Sequence, residues 1–70
     1  MANYYYWVAA SRTDNTGVDD TGTIDADTAQ DAAEIRALEL STIPDCDGQV
    51  VRTRSDDMSD TGESVVKYSG

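Results

Sequence analysis

Four of the chain's five aromatic side chains fall in one short run, Asn3 to Ser11, with the order Asn-Tyr-Tyr-Tyr-Trp-Val-Ala-Ala-Ser. The run is too short for an average helix and rich in residues that fit extended backbone, so it predicts a β-strand. Successive side chains of a strand point to opposite faces. Tyr4, Tyr6, Val8 and Ala10 then face one way, and Tyr5, Trp7 and Ala9 the other. Bulk on both sides belongs to a strand inside its sheet rather than at its edge. Any fold for this chain is built around that strand, and Tyr4 to Trp7, with Tyr68, are assigned to the core.

With 70 residues, the chain is expected to form one domain, 1–70, near the size at which a hydrophobic core alone can hold a fold. Cys46 is the only cysteine and there is no histidine, so neither an internal disulfide nor a Cys/His zinc cluster can brace it. An apolar share of 39%, locally concentrated, argues for a packed core despite the high charge. The apolar run at Tyr4 to Ala10 has no basic stretch before it and is too short to span a bilayer. Neither signal peptide nor membrane helix is expected, and the cytosol is the expected compartment.

Downstream, Thr13 to Gly22 is almost wholly Asp, Asn, Thr and Gly, which predicts a long acidic loop. Thr23 to Ala26 reads as a short strand pairing with the aromatic one, with Ile24 and Ala26 inward. Asp27 then reads as a helix N-cap, with Gln30 completing a capping box, and Thr28 to Leu40 as the helix. Ala29, Ala32, Ala33, Ile35, Ala37 and Leu40 fall on one arc and are expected to be buried, with Gln30, Asp31 and Glu34 opposite. Leu38 lies outside the arc and is left to fraying of the helix end. So many small residues would let the helix approach the sheet and leave room for the rings. Pro44 ends the helical region, Gln49 to Arg54 reads as a strand, Asp56 to Gly62 as a second acidic loop, and Glu63 to Ser69 as the last strand. The result is an α+β domain in ββαββ order: a four-stranded antiparallel sheet of spatial order 2-1-3-4, with one helix on one face.

Function is read from charge. Eleven Asp and three Glu face five Lys and Arg, a formal charge of −9 at pH 7. Solubility alone needs a magnitude of only about 2–8 in a small domain. Helix dipole effects account for Asp27 and Asp31 near the helix start but not for Glu34 and Glu39, and Asp31 and Glu34 are like charges at neighbouring helical positions. Catalysis is not expected: loop and helix-exterior carboxylates keep ordinary pKa values, and Cys46 and the serines have no histidine base. Asp45, Asp47 and Asp56 stand at the first, third and twelfth places of a helical calcium loop, but Gln49 and Val50 occupy positions that need a ligand and a glycine. No metal and no cofactor are expected. What remains is either an acidic accessory or structural domain of a halophilic or actinobacterial protein, hydrated by its carboxylates, or imitation of nucleic acid. Acids one helical turn apart, roughly 5–6 Å by helix rise, approach the spacing of successive phosphates. Asp27, Asp31 and Glu34 on the helix, with Asp19, Asp20, Asp56, Asp57 and Asp60 on the flanking loops, form the candidate surface.

The segment Gly22-Thr23-Ile24-Asp25-Ala26-Asp27-Thr28-Ala29-Gln30-Asp31-Ala32, preceded by the aromatic strand and followed by a strand at Gln49-Val50-Val51-Arg52, resembles a strand–helix joint of small acidic anti-CRISPR proteins from phages and other mobile elements. That resemblance implies a stoichiometric inhibitor of a type I CRISPR effector, the Cascade complex, working in the bacterial host cytosol. A monomer is expected to cover a basic DNA-binding surface of an effector subunit, with no direct contact to nucleic acid and none to membrane. Reversing Asp31 and Glu34, or Asp56, Asp57 and Asp60, is expected to abolish binding and spare the fold.

Overall fold

The aromatic run does form an interior strand. In the computed structural model, which describes residues 2–11 and 14–69 and the side chains of residues 2–9 and 21–69, it is β1 (Ala2–Ser11). Strand β2 (Asp14–Ala26) follows, then helix α1 (Ala29–Leu40), a 3-10 turn at Pro44–Cys46, β3 (Val50–Arg54) and β4 (Thr61–Val65). The sheet order is β2-β1-β3-β4 with every neighbouring pair antiparallel, the 2-1-3-4 arrangement that the two-sided bulk of β1 requires. No helix among the described residues is long and apolar enough to cross a membrane.

Helix α1 covers one face of the sheet. Its C-terminal half packs Ala33, Ala37 and Leu40 against Val8, Val51 and Val66, with Tyr6 and Cys46 at the margin. Its N-terminal half packs Ala29 and Ala32 against Tyr4 and Ala26, with Ile24 beside them. Four of the five buried helix residues are alanines, so the backbone comes close to the sheet and the strands supply the volume. The other face presents Tyr5 opposite Arg54 and Trp7 opposite Arg52, with the Arg54 guanidinium 4.7 Å from the centre of the Tyr5 ring.

Several boundaries differ from the sequence reading. The acidic stretch placed in a loop at Thr13 to Gly22 is strand from Asp14 onward, paired with β1 at Trp7–Thr21, Ala9–Gly17 and Ser11–Asp14; Thr13 lies outside the described residues. Turn propensity is a local preference. The backbone donors and acceptors of β1 need partners along its length, and that demand prevails. Register shifts on either side of Ala9 absorb the surplus residues of β2. The helix cap is Thr28, not Asp27: its hydroxyl accepts the Asp31 N–H at 3.1 Å. Ile35 is 43% exposed rather than buried, and the half-buried Arg36 takes the inward place, its guanidinium 5.2 Å from the Tyr6 ring centre. Strand β4 begins two residues earlier than expected and ends at Val65, although Val66 still exchanges backbone hydrogen bonds with Gly48 and Gln49. Tyr5 and Tyr68 are exposed, Tyr6 and Trp7 half-buried, and only Tyr4 of the aromatic set is buried.

At its end, α1 is closed by the hydroxyls of Ser41 and Thr42, which donate to the carbonyls of Leu38 and Glu39. Gly48, at φ +86°, then adopts the left-handed conformation that turns the chain into β3.

Candidate functional site

The start of α1 is fixed to the β3–β4 hairpin through Ala29 and Gln30. The Ala29 N–H donates to Oδ2 of Asp60 at 2.9 Å, and the Ala29 carbonyl accepts from the buried Thr53 hydroxyl. Gly62 lies against the Ala29 backbone so closely that any β-carbon there would overlap it. At the next residue, the Gln30 side chain donates to the Glu63 carbonyl at 2.9 Å and accepts the Glu63 N–H at 3.1 Å. The Asp60 bond satisfies the Ala29 N–H, a helix-start donor that would otherwise be orphaned, and places a carboxylate where the helix dipole favours it.

That anchor brings acids together. Asp27, Asp31 and Glu34 are exposed, and with Asp25 they border one open groove between the end of β2 and the outer side of α1. The groove has a volume of about 350 Å³, and Ala26, Ile35 and Leu38 complete its lining. Asp60 joins the group at the helix start. The Tyr4 hydroxyl, donating to the Asp27 carbonyl at 3.3 Å, has its pKa raised by burial first, and then by the charges of Asp60, Asp27 and Asp31. Three acids nominated from sequence therefore act on one phenol.

The hairpin acids have internal tasks. Asp57 accepts from Ser55 Oγ at 2.9 Å, Ser59 Oγ at 2.7 Å and the Ser59 N–H at 3.1 Å. The Ser59 bonds first, and that from Ser55 after them, lower its pKa from 3.8 to about 2. Asp56 is exposed, and its hydrogen bond with the Tyr5 hydroxyl is the first cause of the raised pKa there. Of the sequence candidates, Asp27, Asp31 and Glu34 line one groove, and Asp60 is bonded to the helix start at Ala29. Asp56 and Asp57 extend the group along the hairpin. The side chains of Asp19 and Asp20 lie outside the described residues, and their backbone belongs to β2 rather than to a loop. Among the described residues, no three Asp, Glu or Cys side chains converge as a cation site.

Three groove residues escaped the sequence reading: Asp25, Ile35 and Leu38. The signal for Ile35 and Leu38 is the spacing 27, 31, 34, 35, 38, which follows i, i+4, i+7, i+8, i+11 and marks one helical face opposite the alanines. Leu38, 72% exposed, is the most solvent-facing large apolar residue of the helix.

No family model, no curated protein and no solved structure matches this chain.

Proposed function

We propose that this protein is a stoichiometric inhibitor that sits on a cationic, DNA-gripping surface of another protein, in the manner of an anti-CRISPR protein acting on a type I Cascade complex. The acids take the places of phosphates, and duplex DNA is excluded by occupancy. The reading is supported by Asp27, Asp31 and Glu34 standing with Asp25 along one groove that no basic side chain lines, on a helix whose start Asp60 anchors. Carboxylates held on a rigid element suffer little loss of freedom on binding, which favours affinity and fast electrostatic capture. The site of action on this reading is the cytosol of a CRISPR-bearing bacterium, and the working form is the monomer.

The cleanest test falls on Asp31 and Glu34, because Asp57 and Asp60 are bonded into the fold. The double variant D31K/E34K is expected to lose binding to purified Cascade by at least about tenfold, the scale of an interfacial charge contact, while retaining its circular dichroism spectrum. Wild-type affinity should also fall steeply with added salt. Unchanged affinity in the variant ends the mimicry reading, and association that is strongest in molar salt supports hydration as the purpose of the acids.

A further inference from the structure

The groove beside α1 is not shaped for electrostatics alone. A surface serving only as a row of charges gains nothing from large aliphatic side chains between them, yet Ile35 and Leu38 stand 43% and 72% exposed beside four carboxylates. We propose that this groove seats an amphipathic basic segment of the partner protein, with an aliphatic or aromatic side chain of the partner lying on Ala26, Ile35 and Leu38 and its lysines or arginines meeting the acids around it. The inference rests on the reading of the acidic helix as a partner-binding surface and says what that partner presents.

Charge selects the occupant. Four carboxylates border the groove and no basic residue lines it, so a nucleic acid strand or an anionic membrane would be repelled. A second copy offering the same groove would set carboxylates against carboxylates. The arginine face of a second copy is also a poor fit, because Arg54 is engaged by the Tyr5 ring and by the carbonyls of Ser55 and Asp56. A basic protein segment with an apolar side chain satisfies both parts of the groove. The apolar centre excludes water while the surrounding charges orient the segment, the division of labour found in interfaces with a buried anchor and a polar rim.

The test uses the full chain and two synthetic peptides of about 15 residues, the length at which an amphipathic helix begins to hold. One carries leucines on one helical face and lysines on the other; its control has the same lysines with serines for leucines. The leucine–lysine peptide is expected to bind at least about tenfold more tightly, a difference within reach of one or two buried side chains. Part of that affinity should survive high salt, and NMR shifts should concentrate at Ala26, Ile35 and Leu38. The variant I35Q/L38Q is expected to bind both peptides equally and weakly. Equal affinity of the two peptides for the wild type, no binding of either, or an I35Q/L38Q variant that binds the leucine–lysine peptide like wild type each overturns the inference. Cascade separates it from the broader reading: if D31K/E34K loses the complex but I35Q/L38Q retains it in full, the apolar seat is wrong and mimicry stands. If the wild type ignores Cascade yet discriminates the peptides, the seat stands and the effector assignment falls.

Discussion

The inner and outer faces of α1 reverse the usual distribution of size. Inward lie Ala29, Ala32, Ala33 and Ala37, with Leu40 at the end; outward stand Ile35 and Leu38 among carboxylates. The inner face is small because the sheet beneath is bulky: Tyr4, Tyr6, Val8 and Val51 fill the space that helix side chains would otherwise occupy. The outer face is largely open to solvent, with Ile35 43% and Leu38 72% exposed, so on the proposed reading its aliphatic residues serve binding more than folding. Substitutions on the inner side should therefore register as stability and those on the outer side as binding.

The largest effect is expected where the helix backbone touches the hairpin. Gly62→Ala forces a methyl into the Ala29 peptide, and urea denaturation should show a loss of about 3 kcal/mol or failure to fold, the upper range of overpacking. Next comes the alanine face itself: Ala33→Leu overfills a fully buried position and should cost about 1–3 kcal/mol. Asp60→Ala removes the acceptor of the Ala29 N–H and should lower stability by about 1 kcal/mol, as loss of a helix cap does. On the outer side, I35Q/L38Q should leave the denaturation midpoint almost unchanged, within about 0.5 kcal/mol. A large loss there would show that the two faces do not divide folding from binding.

Acid should reveal the hairpin separately. The Asp57 carboxyl is held at about 2 against 3.8 when unconstrained, so the folded hairpin favours the ionised form. Its contribution is fully present above the unfolded value and is lost as pH falls through about 2. NMR shifts of Ser55 and Ser59 should follow that titration, and Asp57→Asn should flatten it. At alkaline pH the order is reversed. Tyr4 and Tyr5 both have raised pKa values, Tyr4 through burial first and Tyr5 through its bond with Asp56 first. The stabilisation of their neutral forms is present below 10 and lost as pH rises through the raised values, which a phenolate absorbance titration would record.

How far the sequence revealed this arrangement depended on whether a feature was local or tertiary. The aromatic run told its own position, because bulk on both faces of a strand has one comfortable place in a sheet. The alanine arc told which side of α1 is buried. The acidic stretch before Thr23 misled, since the fate of Asp14 to Gly22 is decided by the unpaired backbone of β1 rather than by its own preference for turns. Asp60 was nominated as a surface charge, but its bond to Ala29 spans 31 residues and leaves no local trace. The groove was half visible: the five-position stripe from Asp27 to Leu38 could be counted, whereas the contribution of Asp25 needed the strand beside it.

The pairing of Gln30 with the Glu63 backbone has one more consequence. A sheet margin offers its free amides to any passing extended chain, and that invites stacking into larger assemblies. At β4 the side-chain amide of Gln30 already plays the part of an additional strand at Glu63, occupying both of that residue's outward backbone groups. Extension of the sheet there would require evicting it.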